Sequence, residues 1–155
     1  MSEWQFSVTI EIPRWGFVKR GHTERIDFIS PLPCPFNYGA IHEYVGLDGD
    51  YLDALVLGPR KRRGEKMNMV CYGAIGLSDR GLYDDKLICS SHPMTSFERL
   101  LVLNFFRLYG VFKRILNIFR GRGGRTACEG WCEVETALAR AKPAPANWSG
   151  PLVGF

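Results

Sequence analysis

The sequence predicts an α+β fold, mainly β, built on a small closed or nearly closed barrel. Three observations carry that expectation. Several short strand-like segments, the first of them with apolar residues at every second position, precede Thr95, with Gly and Pro between them. From Thr95 onward the apolar spacing turns helical. A length of 155 residues, with an ordinary balance of apolar and charged side chains, suits one domain with one core and is short for two.

Phe6 to Ile12 alternates strictly, with Phe6, Val8, Ile10 and Ile12 on one side and Ser7, Thr9 and Glu11 on the other. It reads as a half-buried strand that Pro13 stops. Asp53 to Leu57 reads as a strand ended by Gly58-Pro59, whereas Gly39 to Leu47 makes a poor buried strand. Met67 to Leu77 reads as a long strand or bent pair with Gly73 and Gly76 as bulge points, and Lys86 to Ser90 as another short strand. Thr95-Ser96-Phe97-Glu98 has the form of a capping box, and opens a helix over Leu100 to Phe119 that is expected to break near Gly110. Gly121 to Gly124 is a turn, and Glu133 to Arg140 a short closing helix. One domain is expected over residues 1–142. The Pro/Gly-rich stretch 143–155 reads as an extended strap or a mobile tail.

Twenty basic residues against 16 acidic ones leave a net charge of +4, which suits an anionic ligand without demanding nucleic acid. The polar start Met1-Ser2-Glu3-Trp4-Gln5 lacks a signal-peptide pattern. The five scattered cysteines, Cys34, Cys71, Cys89, Cys128 and Cys132, read as reduced thiols of a cytoplasmic protein. Cys128 and Cys132 have no second ligand pair at zinc spacing, so they read as packing residues. The apolar window Leu100 to Phe119 is interrupted by Arg107, Lys113 and Arg114, which excludes a membrane span; packing on the barrel or on a neighbouring subunit accounts for it. Arg60-Lys61-Arg62-Arg63 reads as a solvated turn, and His22, His42 and His92 have no metal-ligand spacing.

The chemistry concentrates in acids. Asp48, Asp50 and Asp53 fall within six positions, just before an apolar run. In an extended segment Asp48 and Asp50 point to the same side, and a bend after Tyr51 can bring Asp53 to them. Asp79, Asp84 and Asp85 form a second acidic loop that opens onto the strand at Lys86. Crowded carboxylates resist burial unless cations hold them. With Glu11 they make an all-oxygen set, which selects Mg²⁺, Mn²⁺ or Ca²⁺ over zinc or copper. An EF-hand loop fails, because with Asp48 at its first position Asp53 falls where glycine is needed and Pro59 where the bidentate glutamate is needed. A phosphatase-type Asp-x-Asp nucleophile leaves the third aspartate unexplained. A plain acidic surface turn is the bland alternative.

These residues resemble the soluble family I inorganic pyrophosphatases. The family's Asp-x-Asp-x-x-Asp signature matches Asp48 to Asp53, and Glu11-Ile12-Pro13 and Asn37-Tyr38-Gly39 look like its "EIP" and "NYG" elements. Asp79, Asp84 and Lys86 fall at the spacing of its second acidic loop, Phe105-Phe106 to Tyr109 resembles its helix, and Glu129-Gly130-Trp131 its late "EGW". The resemblance implies an OB-like five-stranded closed barrel with flanking helices. It implies hydrolysis of pyrophosphate, or a similar small phosphoanhydride, with Mg²⁺ as cofactor and Mn²⁺ as a substitute. It further implies a cytoplasmic homo-oligomer, hexameric by resemblance, with no membrane or nucleic-acid partner. Carried over by position, Asp48, Asp53, Asp79 and Asp84 are metal ligands, Glu11 acts on the metals through water, and Asp50 is the general base for the attacking water. Lys86, Tyr38, Tyr109 and one of Lys19 or Arg20 hold phosphate oxygens.

Four positions depart from the family. The basic residue after "EIP" is Lys19 or Arg20, so the acidic residue two beyond becomes Gly21 or His22. Phe28 replaces an arginine, Cys34 a tyrosine, and Gly110 the lysine after the helix tyrosine. Two lost charge-assisted contacts, each worth roughly 1.5–3 kcal/mol, weaken transition-state stabilisation by several decades unless Lys113, Arg114, Arg120, Arg122 or Arg125 compensates. Two alternatives follow: a weak or inactive homologue that binds a metal–phosphate or nucleotide ligand, and a hydrolase of another small phosphoanhydride. An OB-type nucleic-acid binder ranks last, since the acids repel a phosphate backbone.

Overall fold

The computed structural model describes residues 3–16, 18–20, 26–29, 35–47, 49–79, 81–121, 124 and 126–144, with the backbone alone for 18–20 and 26–29. In chain order the elements are β1 (Trp4–Ile12), β2 (Val18–Arg20), β3 (Ile26–Ile29), β4 (Asn37–Val45), β5 (Tyr51–Val56), β6 (Lys66–Asp79), β7 (Leu82–Tyr83), β8 (Lys86–Ser90), α1 (Ser96–Phe119), β9 (Ala127–Cys132), α2 (Val134–Ala139) and β10 (Lys142–Pro143). The pairing runs β1-β4-β5-β8-β6 and returns from β6 to β1, so five strands close into a barrel. Every contact around it is antiparallel except β5 with β8. β9 and β7 extend β6 beyond the barrel, and β2 and β3 form a separate hairpin.

Alternation along the strands sorts side chains onto two sides of the wall. Phe6, Val8, Ile10, Ile41, Ala54, Val56, Leu87 and Cys89 belong to one buried cluster drawn from all five barrel strands, which is therefore the interior; Val134 and Ala137 of α2 pack against it. Their neighbours Leu55, Leu57, Ile75, Leu77 and Ile88 form a second cluster on the outer wall with Val102 and Phe106 of α1. The helix thus roofs the outer face of β5, β8 and β6.

The expected strands at β1 and β8 and the capping box are present: Thr95 Oγ1 accepts from Glu98 N at 3.1 Å, and Glu98 Oε2 accepts from Thr95 N at 2.8 Å. β6 shifts register between Cys71 and Gly73 and again between Gly76 and Leu77, at the two glycines expected to bulge. Gly73 lies under the Trp131 indole, 2.6 Å from where a Cβ would stand.

Three expectations are corrected. β4 is a full strand with its first half buried, where Gly39 to Leu47 reads as a poor buried strand, because Gly39 lets β1 approach closely: a Cβ there would stand 2.4 Å from Thr9 O and 2.9 Å from Val8 Cγ1. α1 runs unbroken through Gly110, whose missing side chain admits β9; a Cβ would lie 3.2 Å from Cys128 N. The chain bends before Tyr51 and not after it, since Gly49 has φ +85° and Gly46 N donates to Asp50 O at 2.8 Å. At the end of the domain, Lys142 and Pro143 pair with Val45 and Tyr44, and Ala144 N donates to Glu43 O at 2.9 Å. The tail from 145 to 155 lies outside the described residues. Cys71, Cys89, Cys128 and Cys132 are free thiols, and Cys34 lies outside the described residues.

Gly39→Ala is expected to lower stability by about 3 kcal/mol, the upper end for overpacking, because both clashing groups belong to paired strands. Urea unfolding of the variant with an unchanged midpoint would refute this.

Candidate active site

The site starts from a register. β5 and β8 run parallel with Asp53 opposite Lys86, so both side chains stand on the outer wall beside Leu55 and Ile88. Asp84 lies two residues before Lys86 and faces the same way. Lys86 Nζ donates to Asp53 Oδ2 and, at 2.7 Å, to Asp84 Oδ1; the lysine side chain is only 4% exposed. Asp85, one residue on, turns to the other side, where it accepts from Leu77 N at 3.4 Å and Arg140 Nη1 at 3.3 Å.

Asp79 ends β6, and the β6–β7 hairpin carries the chain back, with Gly81 at φ +83° and Asp84 N donating to Leu77 O at 2.8 Å. The roof comes from α1. Tyr109, Lys113 and Asn117 are spaced four apart and share one helix face. Lys113 Nζ lies 2.9 Å from Asp79 Oδ2 and 3.9 Å from Asp84 Oδ2. Asn117 Nδ2 donates to Asp79 Oδ1 at 2.9 Å and to Thr126 Oγ1 at 3.0 Å. The Tyr38 ring centroid lies 5.6 Å from Lys86 Nζ, and that of Tyr109 lies 5.8 Å from Lys113 Nζ.

Burial alone would lower the Lys86 pKa, but Asp53 and then Asp84 outweigh it and push it well up. For Lys113 burial is likewise overcome, by Tyr109, Asp84 and Asp79, and the value rises. Burial raises both tyrosines, helped at Tyr38 by Asp53 and opposed at Tyr109 by Lys113. Near neutral pH the pocket therefore presents two ammonium groups and two protonated hydroxyls.

Of the residues singled out in the sequence, Asp53, Asp79, Asp84, Lys86, Tyr38 and Tyr109 converge here. Glu11 is half-buried on β1, the extra residue where the register with β4 shifts between Ile10↔Gly39 and Ile12↔Tyr38; a bulge of this kind re-aims a side chain beside Tyr38. Asp50 is half-buried in the turn before β5, and its Oδ1 accepts from Tyr51 N at 2.8 Å. Asp48, Arg122 and Arg125 lie outside the described residues, as do the side chains of Lys19, Arg20 and Phe28. Arg114 and Arg120 are exposed. Asn117 and Thr126 escaped the sequence reading. The one signal was an Asn in the apolar run two turns from Tyr109, on the same helix face.

Among the described residues, no three Asp, Glu, His or Cys side chains gather around one point; Asp53, Asp79 and Asp84 gather around the two ammonium groups instead. The donors Asp53, Asp79 and Asp84 are oxygens only, with no sulfur or imidazole among them, and this chemistry fits a hard divalent cation.

A barrel wall carrying acids, buried ammonium groups and protonated tyrosines under one helix defines a protein that can hold a small, highly charged anion. The family model for inorganic pyrophosphatase matches residues 8–142. An inorganic pyrophosphatase of Streptomyces coelicolor is 32% identical over 126 residues, covering 68% of this chain and 77% of that protein. Crystal structures of inorganic pyrophosphatases from Neisseria gonorrhoeae and Coxiella burnetii share the fold, each at a TM-score of 0.68. The first is 23% identical, with 87% of this chain and 86% of that one covered; the second is 24% identical, with 88% and 90% covered. The chain belongs to the family I soluble inorganic pyrophosphatases, and its enzyme class is inorganic diphosphatase.

Lys86→Met leaves Asp53 and Asp84 buried without their shared cation, and is expected to cost about 3–5 kcal/mol in chemical unfolding with EDTA present. A lysine with a raised folded pKa stabilises fully below its unfolded value and loses that contribution only as pH climbs through the folded one. The difference between wild type and variant should hence stay constant from about pH 6 to 9. A difference that fades across that range would contradict the assignment.

Proposed function

We propose that this chain hydrolyses inorganic pyrophosphate to two phosphates with Mg²⁺ bound by Asp48, Asp53, Asp79 and Asp84, and with Glu11 acting through water. The observation that carries this reading is the buried Lys86 shared by Asp53 and Asp84 between two protonated tyrosines. The metal supplies charge neutralisation and an acidified water when bound. The chain's own residues do the rest. Lys86, Tyr38 and Tyr109 donate to phosphate oxygens and hold the anion in line, and Lys19 or Arg20 assists. Asp50, oriented by the Tyr51 amide, takes the proton of the attacking water. No described helix is long and apolar enough to cross a membrane. We place the enzyme in the reducing cytoplasm, where its thiols stay free.

Phosphate release from pyrophosphate is expected with Mg²⁺, and with Mn²⁺ as a substitute, and should vanish in EDTA. Asp50→Asn should slow it by about 10²–10⁴-fold. Wild type no faster than Asp50→Asn would sink the hydrolytic reading, and Mg²⁺-dependent anion binding without release would mark a binding homologue.

The resemblance also implies self-association. The outer face of α1 offers a surface for it, with Phe97, Leu108, Ile118 and Phe119 all at least 50% exposed. Sedimentation is expected to show an oligomer that Leu108→Glu with Ile118→Glu disperses. A wild-type monomer at micromolar concentration would refute it.

A further inference from the structure

We propose that Lys113 is a second phosphate-binding residue of this site, serving the end of the anion that Lys86 does not reach; this rests on the hydrolytic reading above. Asp84 is the pivot. One of its oxygens faces Lys86 at 2.7 Å and the other faces Lys113 at 3.9 Å, so the two ammonium groups flank a single carboxylate. Each has its own tyrosine, Lys86 with Tyr38 and Lys113 with Tyr109. One Lys/Tyr pair comes from the barrel wall and the other from the helix roof. A diphosphate has two anionic ends, and two cation-and-hydroxyl sets on either side of one acid match that symmetry.

Position 110 brings no side chain of its own to this part. Gly110 is buried with β9 against it, and a Cβ would already stand 3.2 Å from Cys128 N. One turn further, the same helix delivers Lys113 to the pocket, 20% exposed and 2.9 Å from Asp79. Were Asp79 and Asp84 to hold divalent cations, they would compete less for the Lys113 ammonium, which could then reach a phosphate oxygen. The adjacent Arg114 is exposed on another face and is the natural control.

The test compares wild type with Lys113→Met, Lys113→Arg and Arg114→Met. Calorimetric binding of imidodiphosphate with Mg²⁺ should weaken about tenfold or more in Lys113→Met, recover largely in Lys113→Arg, and stay unchanged in Arg114→Met. KM for pyrophosphate should follow, while Mg²⁺ binding without anion should hold or tighten, since a competitor for Asp79 and Asp84 has gone. Unchanged anion affinity in Lys113→Met, with only a lower melting temperature in EDTA, would make Lys113 a structural ion pair and overturn the proposal. Equal weakening by Arg114→Met would overturn it too. Failure of wild type to release phosphate would defeat the hydrolytic reading alone, because the imidodiphosphate comparison still decides the role of Lys113.

Discussion

The structure turns on one ammonium between two carboxylates: Lys86 held by Asp53 and Asp84 on the outer wall of the barrel. It can exist only because β5 and β8 are parallel and in a register that sets Asp53 against Lys86. Removing such charges from water costs several kcal/mol per ion, and their attraction returns this only when geometry is good. Apolar residues there would fold a barrel at least as well, as Leu55 and Ile88 do one step along the same strands. A buried triad kept despite that cost points to a task that needs charge at this place.

The same alternation that fills the interior with Ala54, Val56, Leu87 and Cys89 puts Asp53 and Lys86 outside, where something must cover them. α1 does this with two different halves. Val102 and Phe106 seal the apolar part of the wall, and Tyr109, Lys113 and Asn117 continue the stripe over the acids. The capping box at Thr95 and Glu98 fixes where the helix begins, and so which residues arrive over the acidic hairpin roughly four to six turns later. The site therefore rests on strands and a helix, and its geometry is held by packed elements.

How much of this was readable in the sequence depends on how local the cause was. β1 announced itself by alternation, β8 as a short apolar strand and α1 by its cap, because those signals lie within a few residues. β4 did not: its sheet character comes from Gly39 meeting Thr9 across the pair, a contact about thirty residues distant in sequence. Gly110 was misread for the same reason. Within the helix it looks like a break, and only the presence of β9 shows it as a point of close approach. The acids were legible by spacing, since Asp53 and Lys86 sit on short, regular strands and Asp84 lies two residues before the second. Asn117 was not, because an Asn in an apolar helix gives no hint that Asp79 and Thr126 lie opposite it.

The electrostatics narrow the chemistry by elimination. Lys86, Lys113, Tyr38 and Tyr109 all have their pKa values pushed upward, so each keeps its proton near neutral pH and does not serve as a base. On the proposed mechanism, the proton of the attacking water then goes to a carboxylate. Asp53, Asp79 and Asp84 each lie against an ammonium group, and as oxygen donors already gathered around positive charge they suit the holding of cations. Asp50 stands in the turn before β5, where its Oδ1 accepts from the Tyr51 amide and the carboxylate is oriented by it. That orientation, together with its place in the acidic motif, is the physical reason for the proposal that Asp50 takes the proton.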